Sequence, residues 1–193
     1  MTTYEYGRIA KLARSLEKHG VNPEVSAGIL EGGEAIGVRA KKEVIAAWMR
    51  DAMDRMDRLL EPEMRHAVRE ACACCLGGKR LKLSKAIAKE HTTLEERISA
   101  AAETHYVFGH SVTRQEDGTL RVRFSPDRLE SYHCPCLPHT PEPFPITYCY
   151  CCGGHVKHHL QIALGRALHV EVVSSVLSSG GKRPCVFDLT IVA

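Results

Sequence analysis

Eight of the chain's nine cysteines stand in three clusters: Cys72-Ala-Cys74-Cys75, Cys134-Pro-Cys136 and Cys149-Tyr-Cys151-Cys152. The third runs directly into Gly153-Gly154-His155-Val156-Lys157-His158-His159. Soft and borderline metal ions prefer thiolate and imidazole to carboxylate as donors. The pattern therefore predicts a Cys/His site for zinc, with a four-cysteine iron–sulfur cluster as the alternative that would use the same residues. The candidate ligands are Cys149, Cys151, Cys152 and His155, joined by Cys134 or Cys136, with Cys72 and Cys75 as further candidates. Eight clustered thiols exceed one tetrahedral site, so two sites, or one site with bystanders, are both open.

The surroundings of each cluster decide what its thiols can do. Cys149-x-x-Cys152 has the knuckle spacing of zinc ribbons and thioredoxin-like motifs, ahead of a helix expected to start near Gly154. Unpaired N–H groups and the helix dipole there would stabilise thiolates. His155 shares a helical face with His158 or His159 that would look back at the cysteines. The first cluster lies at an expected helix C-terminus, where the dipole disfavours thiolate. Cys72 and Cys75 fall on that helix's apolar stripe and Cys74 points elsewhere, so core packing and ligation are evenly matched. Cys134 and Cys136 sit in a proline-rich loop between His133 and His139. Loop thiols have little packing purpose, which favours ligation. Cys185, on the last strand, reads as core.

Two other chemistries fit the same residues. One is a small-molecule hydrolase using a thiolate, with His155 or His158 as base, or a metal-bound water. The other is a dithiol redox protein cycling Cys149 and Cys152.

Positioning these groups falls to an expected α+β fold: a helical region over 1–104, then an antiparallel sheet carrying one helix over 105–193, the two read as one unit. Tyr6, Ile9, Leu12, Ala13 and Leu16 recur at helical spacing before Gly20. Asn22-Pro23 starts a short helix that Gly32-Gly33 ends. A long helix is expected over 34–60, with Ile45, Met49, Met53 and Met56 inward and Asp51/Arg55 and Asp54/Arg58 paired in water. Pro62 opens another, closed by Leu76-Gly77-Gly78, and Thr93-Leu-Glu-Glu96 is a capping box. Beyond residue 105 the period becomes two. Strands are expected over 106–113 and 119–124 across Asp117-Gly118, then a loop over 125–145 and a short strand over 146–150. A helix over 154–168 and a hairpin of 170–177 with 184–192 complete the pattern.

With 193 residues, 44% apolar and 25% charged, the chain has the composition of a globular domain. A net charge of +3 does not call for nucleic acid. A helix-turn-helix over 81–105 is disfavoured because Glu95 and Glu96 would open the recognition helix and repel phosphate. No apolar run approaches the roughly 20 residues that span a bilayer, and no signal peptide precedes the first helix. A cytoplasmic protein with reduced thiols is the expectation, its partners a metal ion and a small-molecule ligand.

The stretch 148–191 carries Tyr148-Cys-Tyr-Cys-Cys-Gly-Gly, Gly165-Arg-Ala-Leu and Ser179-Gly-Gly-Lys-Arg-Pro-Cys185-Val-Phe187. It resembles the bacterial L-2-amino-thiazoline-4-carboxylic acid hydrolase-like families and, more distantly, the bacteriochlorophyll 4-vinyl reductase ligand-binding domain. Those end in a glycine-bearing turn followed by Cys-x-Phe on the closing strand. The resemblance implies an α+β module that acts on or senses a small molecule or metal. Cys134, Cys136 and Cys151 are additional to the hydrolase-like pattern.

Overall fold

The computed structural model describes residues 3–124, 134, 136–137, 140 and 142–192. His133 and His139, and most of the expected loop over 125–145, lie outside them.

Amphipathic repeats build the first half. Helix α1 spans Gly7–Lys18 with Ile9, Leu12 and Leu16 buried, and Gly20 follows at φ +69°. Helix α2, Pro23–Leu30, is capped by Asn22, whose side-chain oxygen accepts from the Glu24 and Val25 amides. The expected long helix is shorter at its start. Gly33–Ala35 form a 3₁₀ turn, Ile36 turns into the core, and helix α3 begins only at Lys42, running to Leu59. Arg55 donates to the Ile29 and Glu31 carbonyls, so it satisfies the end of α2 and is not simply half of a surface ion pair.

Helix α4, Pro62–Ala71, stops five residues before the expected end, with Cys72 at its C-cap and Cys75 at φ +59°. The first cysteine cluster is therefore largely loop. Helices α5 (Gly78–Glu90) and α6 (Leu94–Glu103) pack on each other as a helical hairpin. Thr93 accepts from the Glu96 amide, and Glu96 accepts from the Thr93 and Thr92 amides, each at 3.0 Å. Those bonds, Thr93's first, hold the Glu96 carboxyl at about 2, below its ordinary 4.5. A depressed carboxylate stabilises above its unfolded pKa and loses that contribution as pH falls through the folded one. Glu96→Ala should therefore melt below wild type at pH 7, with the gap closing between pH 4.5 and about 2 in a thermal unfolding series.

Residues His105–Phe108 form a short helix α7 where a strand was expected, because Phe108 and Val107 turn into the core. Strands β1 (Ser111–Arg114) and β2 (Leu120–Arg123) make the predicted hairpin, with Gly118 at φ +86°. The segment Ile146–Cys149, read as a strand, is a 3₁₀ turn. It leads without a break into helix α8, Tyr150–Leu164, which starts four residues earlier than expected. Strands β3 (Leu168–Ser174) and β4 (Val186–Ile191) complete one antiparallel sheet in the order β1-β2-β4-β3. The fold is α+β. One cluster of buried side chains runs from Ile9 through Met53 and Phe108 to Leu189, so both halves share a core.

Helix α8 is the hub. Gly153 faces the sheet, where a Cβ would rest 3.5 Å from Val170 and Val172. Gly154 faces α4, where a Cβ would fall 2.3 Å from the Glu70 carbonyl oxygen. The two glycines are thus close-packing positions between α4 and the sheet. Lys157 bonds Glu70 at 2.7 Å beside the crossing. Among the described residues, no helix is long and apolar enough to cross a membrane.

Candidate functional site

The α4–α8 crossing answers the question the sequence left open about the first and third clusters. Because α4 touches α8 at Gly154, the loop leaving α4 passes over the start of α8. Cys74 and Cys75 then face Cys149, Cys151 and Cys152 across a cavity of about 140 Å³. Cys134 and Cys136 enter from the connection before α8, and Cys185 from the residue preceding β4. Phe124, Phe187, Leu177, Tyr148, His155 and Arg80 complete much of the wall.

Eight of the nine thiols thus line one space. Cys72 lies outside it, buried on a smaller adjoining cavity with Arg69, Cys74, Cys136 and Cys151. None of the nine is in a disulfide. Cys74, which the helical pattern set aside, is in the wall. Cys185, read as core, is half-buried on the wall, its sulfur accepting from the Val176 amide.

The thiols influence one another's ionisation, Cys136 acting on Cys134 and Cys74, and Cys74 on Cys75. Cys149 donates to Ser175 Oγ at 3.0 Å. Among the described residues, no three Cys, His, Asp or Glu side chains converge on one point as a metal ion would require.

The expected thiolate-stabilising helix start does not describe the third cluster. Burial pushes the Cys149 thiol up to about 12, and it raises Cys151 and Cys152 as well. Desolvation outweighs the dipole because these residues are in the first turn and its packed approach. Cys136 is pushed up to about 12, first by its hydrogen bond to Cys134. That same bond holds Cys134 below its ordinary value. The raised thiols of Cys136, Cys149, Cys151 and Cys152 stay protonated until a cation displaces the proton.

The histidines act on the loop from below. His155 Nδ1 lies 3.0 Å from the Cys74 carbonyl, and His159 Nε2 lies 3.0 Å from the Cys75 carbonyl. Carbonyls only accept, so these nitrogens carry protons. His159 Nδ1, 3.0 Å from Ser84 Oγ, is then the acceptor. Burial lowers the pKa of both rings, that of His155 to about 4, so both are neutral. His155 lines the cavity as expected. His159 is fully buried with both nitrogens engaged, and His158 is not among the cavity-lining residues.

Cationic side chains surround the cluster, a feature that spacing could not show. Arg8 donates to the Cys136 carbonyl and to the Tyr148 hydroxyl, and Lys11 to the Ala73 carbonyl, so α1 ties down two cysteine-bearing segments. Arg69 is 4% exposed, donates to the Tyr148 carbonyl at 3.0 Å and lies 4.8 Å over the Tyr148 ring. Burial works against its charge. Cys151, Cys72, Tyr148 and Cys149 outweigh that penalty, so its pKa stays above the ordinary value.

No curated protein and no solved structure matches this chain. The model of one family, described as a family of unknown function (DUF6144), matches residues 13–192, and the chain belongs to that family.

Proposed function

We propose that this is a metal-binding protein whose site is the thiol-lined cavity beneath the Cys72–Cys75 loop. The observation that carries the reading is the convergence of Cys74, Cys75, Cys134, Cys136, Cys149, Cys151, Cys152 and Cys185 from separate segments onto one cavity. Structural cysteines are scattered through cores as small apolar residues and have no reason to gather there. Sulfur donors in a cavity walled by Phe124, Phe187 and Leu177 suit zinc or iron and not calcium or magnesium, which take oxygen. Arg69 supports the reading, since a buried guanidinium among thiols favours their ionised, metal-binding form. His155 fits a supporting place in the ligand set. Its Nδ1–H bond to a backbone carbonyl is the outer-shell contact that orients metal-binding imidazoles.

The test is elemental analysis of protein purified without oxygen or chelator, beside a Cys74→Ala/Cys152→Ala variant whose folding is checked by circular dichroism. Wild type should retain at least one zinc or iron per chain, and the folded variant less than a tenth of that. Wild-type protein free of metal would end the proposal.

A redox reading has one observation in its favour: Cys134, with its lowered pKa, lines the same cavity as Cys136 and Cys74. Diamide would then remove two electrons and two protons to form a single reversible Cys134–Cys136 or Cys74–Cys136 disulfide in metal-free protein.

A further inference from the structure

We infer that the cavity takes a polynuclear iron–sulfur cluster and not a single ion, held by Cys74, Cys136, Cys151 and Cys152, with Arg69 as its built-in counter-charge. This rests on the metal-binding reading above and goes beyond it in naming the class of metal centre.

The first argument is number and spacing. A tetrahedral zinc ion uses four donors, each about 2.3 Å from one point when sulfur. Here eight thiols ring a space. Cys74 and Cys75 come to it from the loop after α4, and Cys134 and Cys136 from the connection before α8. Cys149 is drawn toward Ser175, and Cys185 toward the Val176 amide. The volume, about 140 Å³, holds several water molecules, so it suits a body of several atoms better than one ion. In an iron–sulfur cluster the protein sulfurs stand apart, each bonded to a different iron, with inorganic sulfide filling the space between.

The second argument is charge. A cluster ligated by four thiolates is an anion, and its stability depends on net charge, on hydrogen bonds and on solvent exclusion. Arg69 is a fully buried cation whose strongest electrostatic neighbours are thiols and a phenol, and its Nε has no partner. Its direct contacts are the Tyr148 carbonyl and ring, both neutral, and a buried cation is stabilised when an anion is placed beside it. Cys151 joins the two regions, lining both the main cavity and the smaller one that contains Arg69. Its sulfur is therefore placed to bond iron on one side and face the guanidinium on the other. On ligation each thiol releases its proton to solvent and its sulfur bonds iron.

The four cysteines are chosen by place: Cys74, Cys136 and Cys151 line both the main cavity and the smaller one that contains Arg69, and Cys152 lines the main cavity next to Cys151. They come from three segments, so the cluster would join α4, the connection before α8, and α8 itself.

The experiment loads the full chain anaerobically with ferrous iron and sulfide, and in parallel with zinc. Iron, acid-labile sulfide and zinc are counted per chain, and the reduced protein is examined by electron paramagnetic resonance. The expected result is about four irons and about four sulfides per chain with a cubane-type signal. Cys74→Ser/Cys136→Ser should lose most of both. Arg69→Met should lower the cluster's reduction potential, because a cation that favours the more negative reduced form is gone, while Arg69→Lys should leave it near wild type. One zinc per chain, with no stoichiometric sulfide in the iron preparation, would overturn the cluster and leave the metal-binding reading standing. Equal iron and sulfide in a variant lacking all four cysteines would show adventitious mineral and overturn it too. No metal in either preparation would remove both readings.

Discussion

Gly154→Ala is expected to cost about 3 kcal/mol in denaturant unfolding, an unusually large effect for one methyl group. The added Cβ would sit 2.3 Å from the Glu70 carbonyl oxygen and 2.9 Å from its carbon and Cα, all backbone atoms that cannot rotate away. Alanine's better helix propensity would return about 1 kcal/mol. Overpacking in a close-packed core typically costs 1–3 kcal/mol, more where backbone must shift, so the clash wins. Gly153→Ala is the internal control. Its Cβ would meet Val170 and Val172 at 3.5 Å and Phe187 at 3.7 Å, ordinary contact distances. That variant should fall within about 1 kcal/mol of wild type, helped by the propensity term. Equal losses at the two positions would mean that the α4–α8 approach is not what Gly154 protects. The consequence extends to the site. Glu70 lies two residues before Cys72, so forcing α4 away from α8 moves Cys74 and Cys75 off the cavity. Gly154→Ala should therefore lose bound metal as well as stability, while Gly153→Ala keeps it.

The contrast between these glycines shows which kind of information the sequence makes visible. Local signals were readable where one segment carries its own instruction. Asn22-Pro23 caps α2, Thr93 and Glu96 close a reciprocal cap, and Asp117-Gly118 turns a hairpin, all within a few residues. The α+β division followed from the change of hydrophobic period near residue 105. Element starts set by tertiary contact were not readable. Helix α8 begins at Tyr150 because the Tyr148 and Cys149 side chains are already buried there, so the chain coils before the glycines. Helix α3 begins late because Ile36 turns inward.

The site divides in the same way. Clustering of thiols marked where chemistry could lie, and Cys134, Cys136, Cys149, Cys151 and Cys152 do line the cavity. Membership beyond that depended on α4 ending at Ala71. A helix continued to residue 75 would aim Cys72 and Cys75 into the core and Cys74 outward. The loop instead gives Cys74 and Cys75 to the cavity and leaves Cys72 behind. Arg69 carried no signal at all, since one arginine on an amphipathic helix reads as solvated. Its burial against Tyr148 exists only after α4 meets the segment before α8.

His159→Leu gives the second large effect, and it separates holding the loop from binding a metal. The imidazole is fully buried and bridges the Ser84 hydroxyl to the Cys75 carbonyl, at 3.0 Å on each side. Leucine nearly fills the volume, so the cavity cost is small and the loss falls on the polar partners. Released from His159, the Ser84 hydroxyl can donate instead to the Arg80 carbonyl 3.0 Å away, which leaves the Cys75 carbonyl as the main orphan. Stranding one buried acceptor costs about 1–3 kcal/mol. About 2 kcal/mol is therefore expected in urea unfolding, with unchanged far-ultraviolet circular dichroism. The distinctive readout is local. With its lower tie cut, the Cys72–Gly77 loop should exchange amide hydrogens at least tenfold faster, and Cys74 and Cys75 should react faster with a maleimide, while Cys149 keeps wild-type protection behind Ser175. Metal affinity should fall although every thiol remains, because the donors on the loop are no longer held at the cavity wall. Loss of metal with unchanged exchange in the loop would instead mark His159 as a ligand. Neither change would show that Lys11 of α1 and His155 are enough to hold the loop.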